Sequence, residues 1–251
     1  NYKNMQFIWF NQKFSKLSLS FLALNNGYQY ENLVENKFQV AYLQTIGTYG
    51  KWDASKFYGD FGLYAQTGEA AITNDKVAVG AYYAGFNLGY KFTNPFKAEL
   101  GFEYLSGKDQ NDTDTKVKSF TPLFGTNHGF NGLMDYFYVG NHKNSVGLQD
   151  FYTKFIYDKN KWQVTLSPHL FYSAASVYNM TTLEEQDSYL GTEIDLTATY
   201  KLDKNFIISG GVSKMFGSNT MEILKGGNNN NCNNWAWVMV SFNPQLFTYK
   251  K

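Results

Sequence analysis

The sequence contains no arginine; all 22 of its basic residues are lysine. The planar fork that reads phosphate or carboxylate with two parallel bonds is therefore missing, and any anion must be handled by lysine or by backbone N–H groups. A net charge of +1 gives no field that would gather nucleic acid, so no nucleic-acid partner is expected. The single cysteine, Cys232, excludes a disulfide framework and a thiolate metal site, and no metal or other cofactor is expected. Only 4 of the 251 residues are proline, so strand breakers are scarce. No run of about 18 consecutive apolar residues occurs, which excludes a transmembrane helix. A mean hydropathy of -0.41 agrees, but it leaves a membrane β-barrel open, because only every second barrel residue faces lipid. The first twelve residues lack the basic and apolar regions of a signal peptide, so the chain reads as mature or truncated.

What is present points to strands. Aromatic residues make up 19% of the chain, with 20 Tyr and 22 Phe, an all-β composition. Apolar residues alternate with polar ones over long stretches. Residues 15–24 place Leu17, Leu19, Phe21 and Ala23 against Ser18 and Ser20, and 57–66 place Phe57, Phe61, Leu63 and Ala65 against Tyr58, Asp60, Tyr64 and Gln66. The clearest case is 96–104, with Phe96, Ala98, Leu100, Phe102 and Tyr104 opposite Lys97, Glu99 and Glu103. The same period recurs over 77–92, 162–172, 190–202, 206–216 and 236–242. A soluble sandwich would bury the face that carries Glu99, Glu103, Glu193 and Asp195, at prohibitive cost. A membrane barrel turns that face to a polar lumen.

The connections alternate in length. Short turns are expected at 11–14, 50–54, 93–95, 158–161 and 203–205, and long polar loops at 25–36, 67–76, 107–146, 173–188 and 217–234. Outer-membrane barrels have short periplasmic turns and long extracellular loops. Trp52, Phe57, Tyr90, Phe92, Tyr157, Trp162, Tyr200 and Phe206 flank the short turns, where an interfacial girdle belongs. The expectation is one domain over 1–251, an antiparallel transmembrane β-barrel of the bacterial outer-membrane type. About eleven strands are visible. Single-chain bacterial barrels have even strand numbers, so this is expected to be part of a larger even-stranded barrel lacking N-terminal strands.

Residues 120–152 break the pattern, being Gly-rich and aromatic without a period of two. Pro122, Leu123, Phe124, Thr126, His128, Phe130, Gly132 and Asp135, followed by Gly147, Leu148, Gln149 and Asp150, resemble a segment of the alginate-export family of outer-membrane barrels. The resemblance implies a wide barrel whose loops narrow a polar lumen for a sugar polymer or another hydrophilic solute. It also implies that 107–146 is the constriction, with Phe124, His128, Phe130, Asp135, Tyr136, His142 and Asp150 as its residues. The family's exporter is thought to guide its polyanion along arginines, which this chain lacks. Its expected lumen residues, Lys91, Lys97, Glu99, Glu103, Lys154, Glu193, Asp195 and Lys214, are mixed in sign.

Other chemistries have weaker signatures. Ser167, His169 and Ser173 share a strand face and raise the possibility of a barrel hydrolase, but that face is opposite Leu166 and Leu170, away from lipid. Residues 109–115, DQNDTDT, have acidic spacing like a calcium loop without its glycine and distant glutamate. His128 and His142 read as loop histidines, and Asp135 and Asp150 with Lys154 as braces for an inward loop. The expected protein is therefore a non-enzymatic, porin-like channel in the bacterial outer membrane. Its partners are membrane lipid and a hydrophilic or saccharide solute, and the alternative is a plugged barrel that binds a protein partner through its surface loops.

Overall fold

A computed structural model describes residues 2–125, 128–129, 131–137, 145–245 and 247. They form one antiparallel sheet of eleven strands in which each strand pairs with its neighbours in sequence. The strands are β1 (Asn4–Phe14), β2 (Leu17–Asn32), β3 (Lys37–Ala54), β4 (Phe57–Ala71), β5 (Lys76–Lys91), β6 (Phe96–Leu105), β7 (Leu148–Lys159), β8 (Trp162–Tyr172), β9 (Tyr189–Lys201), β10 (Phe206–Gly217) and β11 (Asn233–Phe242). One short helix, α1 (Asn219–Lys225), is capped by the Ser218 side chain, which accepts from Met221 N. Among the described residues, no helix is long and apolar enough to cross a membrane.

Register carries the alternation from strand to strand, since residues paired across an antiparallel ladder share a face. Phe57 pairs with Tyr90, Phe61 with Phe86, Leu88 with Leu100, Phe102 with Phe151, Leu166 with Leu196 and Val212 with Ala236. This face is exposed: Leu100 is 62% accessible and Val238 80%. So broad an apolar surface is unstable in water but matches hydrocarbon. At the short-turn end its aromatic pairs form a belt: Phe57–Tyr90 at 4.9 Å, Phe96–Tyr157 at 5.4 Å and Trp162–Tyr200 at 4.7 Å between centroids.

The opposite face pairs Lys51 with Asp60, Asp60 with Asn87, Glu103 with Asp150, His169 with Glu193 and Asp195 with Ser213. It is the inner face, and the sheet is curled around it. Phe124 packs edge-on against Tyr2, just before β1, with centroids 5.7 Å apart, and the His128 ring lies 5.7 Å from Trp235 of β11. Four residues of chain span at most about 14 Å, whereas eleven flat strands would measure roughly 48 Å across. Even with about 12 Å of side-chain reach at each contact, one segment can touch Tyr2 and β11 together only if the sheet is curled. Neither β1 nor β11 has a second strand partner among the described residues.

Two expected loops prove to be mostly strand. The β2–β3 and β4–β5 hairpins run on to turns at 33–36 and 72–75, because Tyr28, Tyr30, Ala41 and Leu43 continue to pack past the membrane-thick part of the wall. At 15 to 18 residues, β2 to β5 exceed the roughly 9–11 needed to cross a bilayer.

Candidate functional site

The connection between β6 and β7 folds against the inner wall, and its polar bonds account for its course. Near its start it adds a parallel bridge to β5, with Val117 N donating to Ala78 O at 2.9 Å and Gly80 N to Val117 O at 2.9 Å. Gln66 of β4 clasps the Thr121 backbone, donating to its carbonyl at 2.8 Å and accepting from its N–H at 3.1 Å. Phe120 then lies on the Tyr83 ring, 5.6 Å between centroids.

Further along, Asn131 is 3% exposed and uses its amide to donate to both Glu103 Oε2, at 2.9 Å, and Asp150 Oδ2, at 3.2 Å. Gly132 has φ of 78°, and a Cβ there would sit 2.6 Å from the Glu193 carboxyl group. Glycine thus allows the backbone to turn directly onto Glu193, whose Oε1 accepts from Leu133 N at 2.6 Å and Met134 N at 2.9 Å. Phe137 closes the contact by packing on Phe171 at 4.7 Å.

Behind this anchor lies a buried polar chain. His169 Nδ1 is 3.0 Å from both oxygens of Asp150, which has no exposed surface, and His169 Nε2 is 3.9 Å from Asp195 Oδ2. The imidazole stacks between Tyr152, at 5.3 Å, and Phe171, at 5.6 Å. Its second nitrogen therefore faces a carboxylate, and Ser167 is the register partner of Asp195. The buried hydroxyls of Ser173 and Ser213 have no hydrogen-bond partner among the described residues.

Toward the short turns the inner wall carries both signs. Lys91 pairs with Asp53 at 2.6 Å and lies 5.2 Å from the Tyr58 ring, the Tyr58 hydroxyl donates to Glu99 at 2.8 Å, and Lys97 approaches Asp158 at 3.6 Å. Lys154 Nζ is 5.0 Å from the Tyr152 ring.

The residues singled out from sequence thus divide. Glu103, Asp150, Glu193 and Asp195 meet at the loop, whereas Lys91, Lys97, Glu99 and Lys154 lie on the wall below it. Lys214 is a correction. It shares the outer face with Val212 and Phe216 and lies 4.9 Å from the Phe216 ring, because its position in β10 has the same parity as the apolar residues. Asp135 is half-buried and pairs with His128 at 2.8 Å, away from Asp150. Burial, with Glu193 nearby, pushes the Tyr136 hydroxyl up from its ordinary pKa. Phe130 and His142 lie outside the described residues, as does Thr126. Sequence reasoning did not single out Asn131 or Gln66 as anchors; the odd glycine beside Asn131 was the available signal. The 109–115 segment is held by Lys118, which bonds Asp112 at 2.6 Å and Asp114 at 3.4 Å. Among the described residues, no group of three or more His, Cys, Asp or Glu side chains could hold a metal ion.

No family model matches the chain, and neither does any curated protein. The resemblance to alginate-export barrels therefore rests on the 120–152 segment alone. Among solved structures, one that the chain is similar to is described as "Copper transporter OprC", at 14% identity and a TM-score of 0.45. The match covers 87% of this chain and 37% of that one, so the chain spans well under half of that structure's length.

Proposed function

We propose that the chain forms the wall and constriction of a channel in the bacterial outer membrane, passing small hydrophilic solutes by diffusion. The observation that carries this reading is the β6–β7 loop pinned across the inside of a curled wall that is apolar outside and polar within. Short turns would face the periplasm and long loops the exterior. Solute would pass between the loop and the charged wall with no covalent step, its size limited by the loop. Glu103, Asp150, Glu193 and Asp195 are taken up under the loop, so solute would meet the mixed-sign wall of Lys91, Lys97, Glu99 and Lys154, a lining without arginine that suits small polar solutes, short saccharides included, better than a polyanion such as alginate.

A filled lumen that presents surface loops to a protein partner is the second reading, favoured by the tight packing of Phe137 on Phe171 and of Phe120 on Tyr83. Planar-bilayer recording separates the two. The channel reading expects discrete conductance steps in symmetrical KCl. Purified, folded protein that never conducts would leave the filled barrel standing.

A further inference from the structure

We propose that the space between the inward loop and the β2–β6 wall binds a small amphiphile with an aromatic or apolar body and one cationic donor group. This rests on the position of the loop and not on conduction. The space is a cavity of about 280 Å³ whose lining includes Leu22, Leu24, Tyr64, Phe120, Leu123 and Glu103. That volume lies just below the roughly 300–1,000 Å³ of drug-sized sites, at the scale of a single ring with a short arm.

Its chemistry differs from the rest of the inner wall. Leu22 and Leu24 occupy inner-face positions of β2 that are filled by Ser18, Ser20 and Asn26 elsewhere on the strand. Leu24 is already buried, but Leu22 and Leu123 are only partly covered, and apolar surface left open inside a polar lumen is stabilised when an apolar group covers it. Gly47 contributes by what it lacks, since a Cβ there would come within 2.1 Å of the Tyr64 ring. The ring can therefore lie flat along the wall. The apolar surface continues onto β1, where Phe7 pairs with Leu24 and Trp9 with Leu22, both about 60% exposed on the inner side. Leu123 also borders a second cavity of about 360 Å³ that Tyr28, Leu43 and Val117 help line. An approach route for an apolar solute thus adjoins the site on either side.

The polar end sets the charge. Glu103 and Asn131 both line the cavity, with Glu103 Oε2 taken by the Asn131 amide, and Asp150 lies behind them. Lys154 is the basic side chain acting on Glu103, and it is held against Tyr152. An anionic head group would meet these carboxylates, while an ammonium would find an acceptor at one end and the faces of Tyr64, Tyr83 and Phe120 along its sides.

The test is calorimetric titration of the purified full chain in detergent with 2-phenylethylammonium, 2-phenylethanol and phenylacetate. Expected are saturable binding of the ammonium at one per chain, binding of the alcohol weaker by about tenfold or more, and none of the carboxylate. Leu123→Trp should fill the cavity and abolish binding, and Leu22→Trp should do the same from the wall if the first variant does not fold. Glu103→Gln should remove the preference for ammonium over alcohol while the alcohol still binds. Absence of saturable binding by the wild type at millimolar probe, or equal binding by a folded cavity-filled variant, overturns the site. An ammonium preference that survives Glu103→Gln overturns its assigned chemistry. A protein that binds the probe yet never conducts would sink the channel reading alone.

Discussion

The two flanks of the inner wall hold the loop in different ways. Behind β6 to β9 the loop is fixed by bonds to buried carboxylates, with Asn131 on Glu103 and Asp150, and Leu133 and Met134 on Glu193. Beside β1 to β3 the inner face carries an apolar patch, Phe7, Trp9, Leu22, Leu24 and Leu43, among polar neighbours, and the loop stands off it across two cavities. Bonds to charged groups are directional and roughly twice as strong as neutral ones, so they set where the loop sits. The apolar flank imposes no direction and leaves room. One side of the loop is therefore anchored, and the other borders open space.

The largest effect on that contrast is expected from Gly132→Val. A branched side chain at positive φ costs about 1–3 kcal/mol, and its Cβ would displace the Glu193 carboxyl group from 2.6 Å away. The anchor should release, and limited proteolysis of the folded protein should cut within 131–137 faster than in the wild type. Next comes His169→Leu, which leaves Asp150 buried with Asn131 as its remaining side-chain partner among the described residues. A loss of about 1–3 kcal/mol is expected, read as a lower midpoint in heat-modified gel mobility while the loop stays protected. Gln66→Leu removes two bonds to Thr121 outside the carboxylate anchor. It should cost about 1 kcal/mol and speed amide exchange near Thr121 without exposing Leu133 or Met134.

The smallest effect concerns the outer part of the same connection. The Lys118 ammonium beside Asp112, and the Lys116 backbone N–H on Asp114, hold both carboxyls below their ordinary value of 3.8. A carboxyl with a lowered folded pKa stabilises above its ordinary value and loses that contribution as pH falls through the folded one. Exchange over 109–118, measured relative to the unfolded-chain rate at the same pH, should therefore be more strongly slowed at pH 6 than at a pH well below 3.8. High salt should weaken the effect, since these side chains are exposed.

Much of the wall was legible in the sequence because a period of two survives one residue at a time. Leu100 between Glu99 and Gly101, or Leu196 between Asp195 and Thr197, identifies its face without knowledge of the neighbouring strand. Lys214 was misplaced for the opposite reason: its charge outweighed its parity with Val212 and Phe216. The extended hairpins were hidden because Asn25, Asn26 and Gly27 have loop-like composition, although Asn26 is fully buried on the inner face. The acidic members of the site could be seen on their strands, but their partners could not. Asn131 meets Glu103 and Asp150 through contacts that have no sequence period, and Gln66 meets Thr121 from 55 residues away. Only register and the inward course of the loop bring them together.

The central claim is that a carboxylate-anchored loop narrows an open lumen. It is tested most directly by recording single-channel conductance of the wild type and Gly132→Val in the same bilayer and salt. The account predicts discrete steps for both, with the variant larger by about twofold or more once the anchor is released. Equal conductance in a variant whose loop has become protease-sensitive, or no conductance from either folded protein, would contradict it.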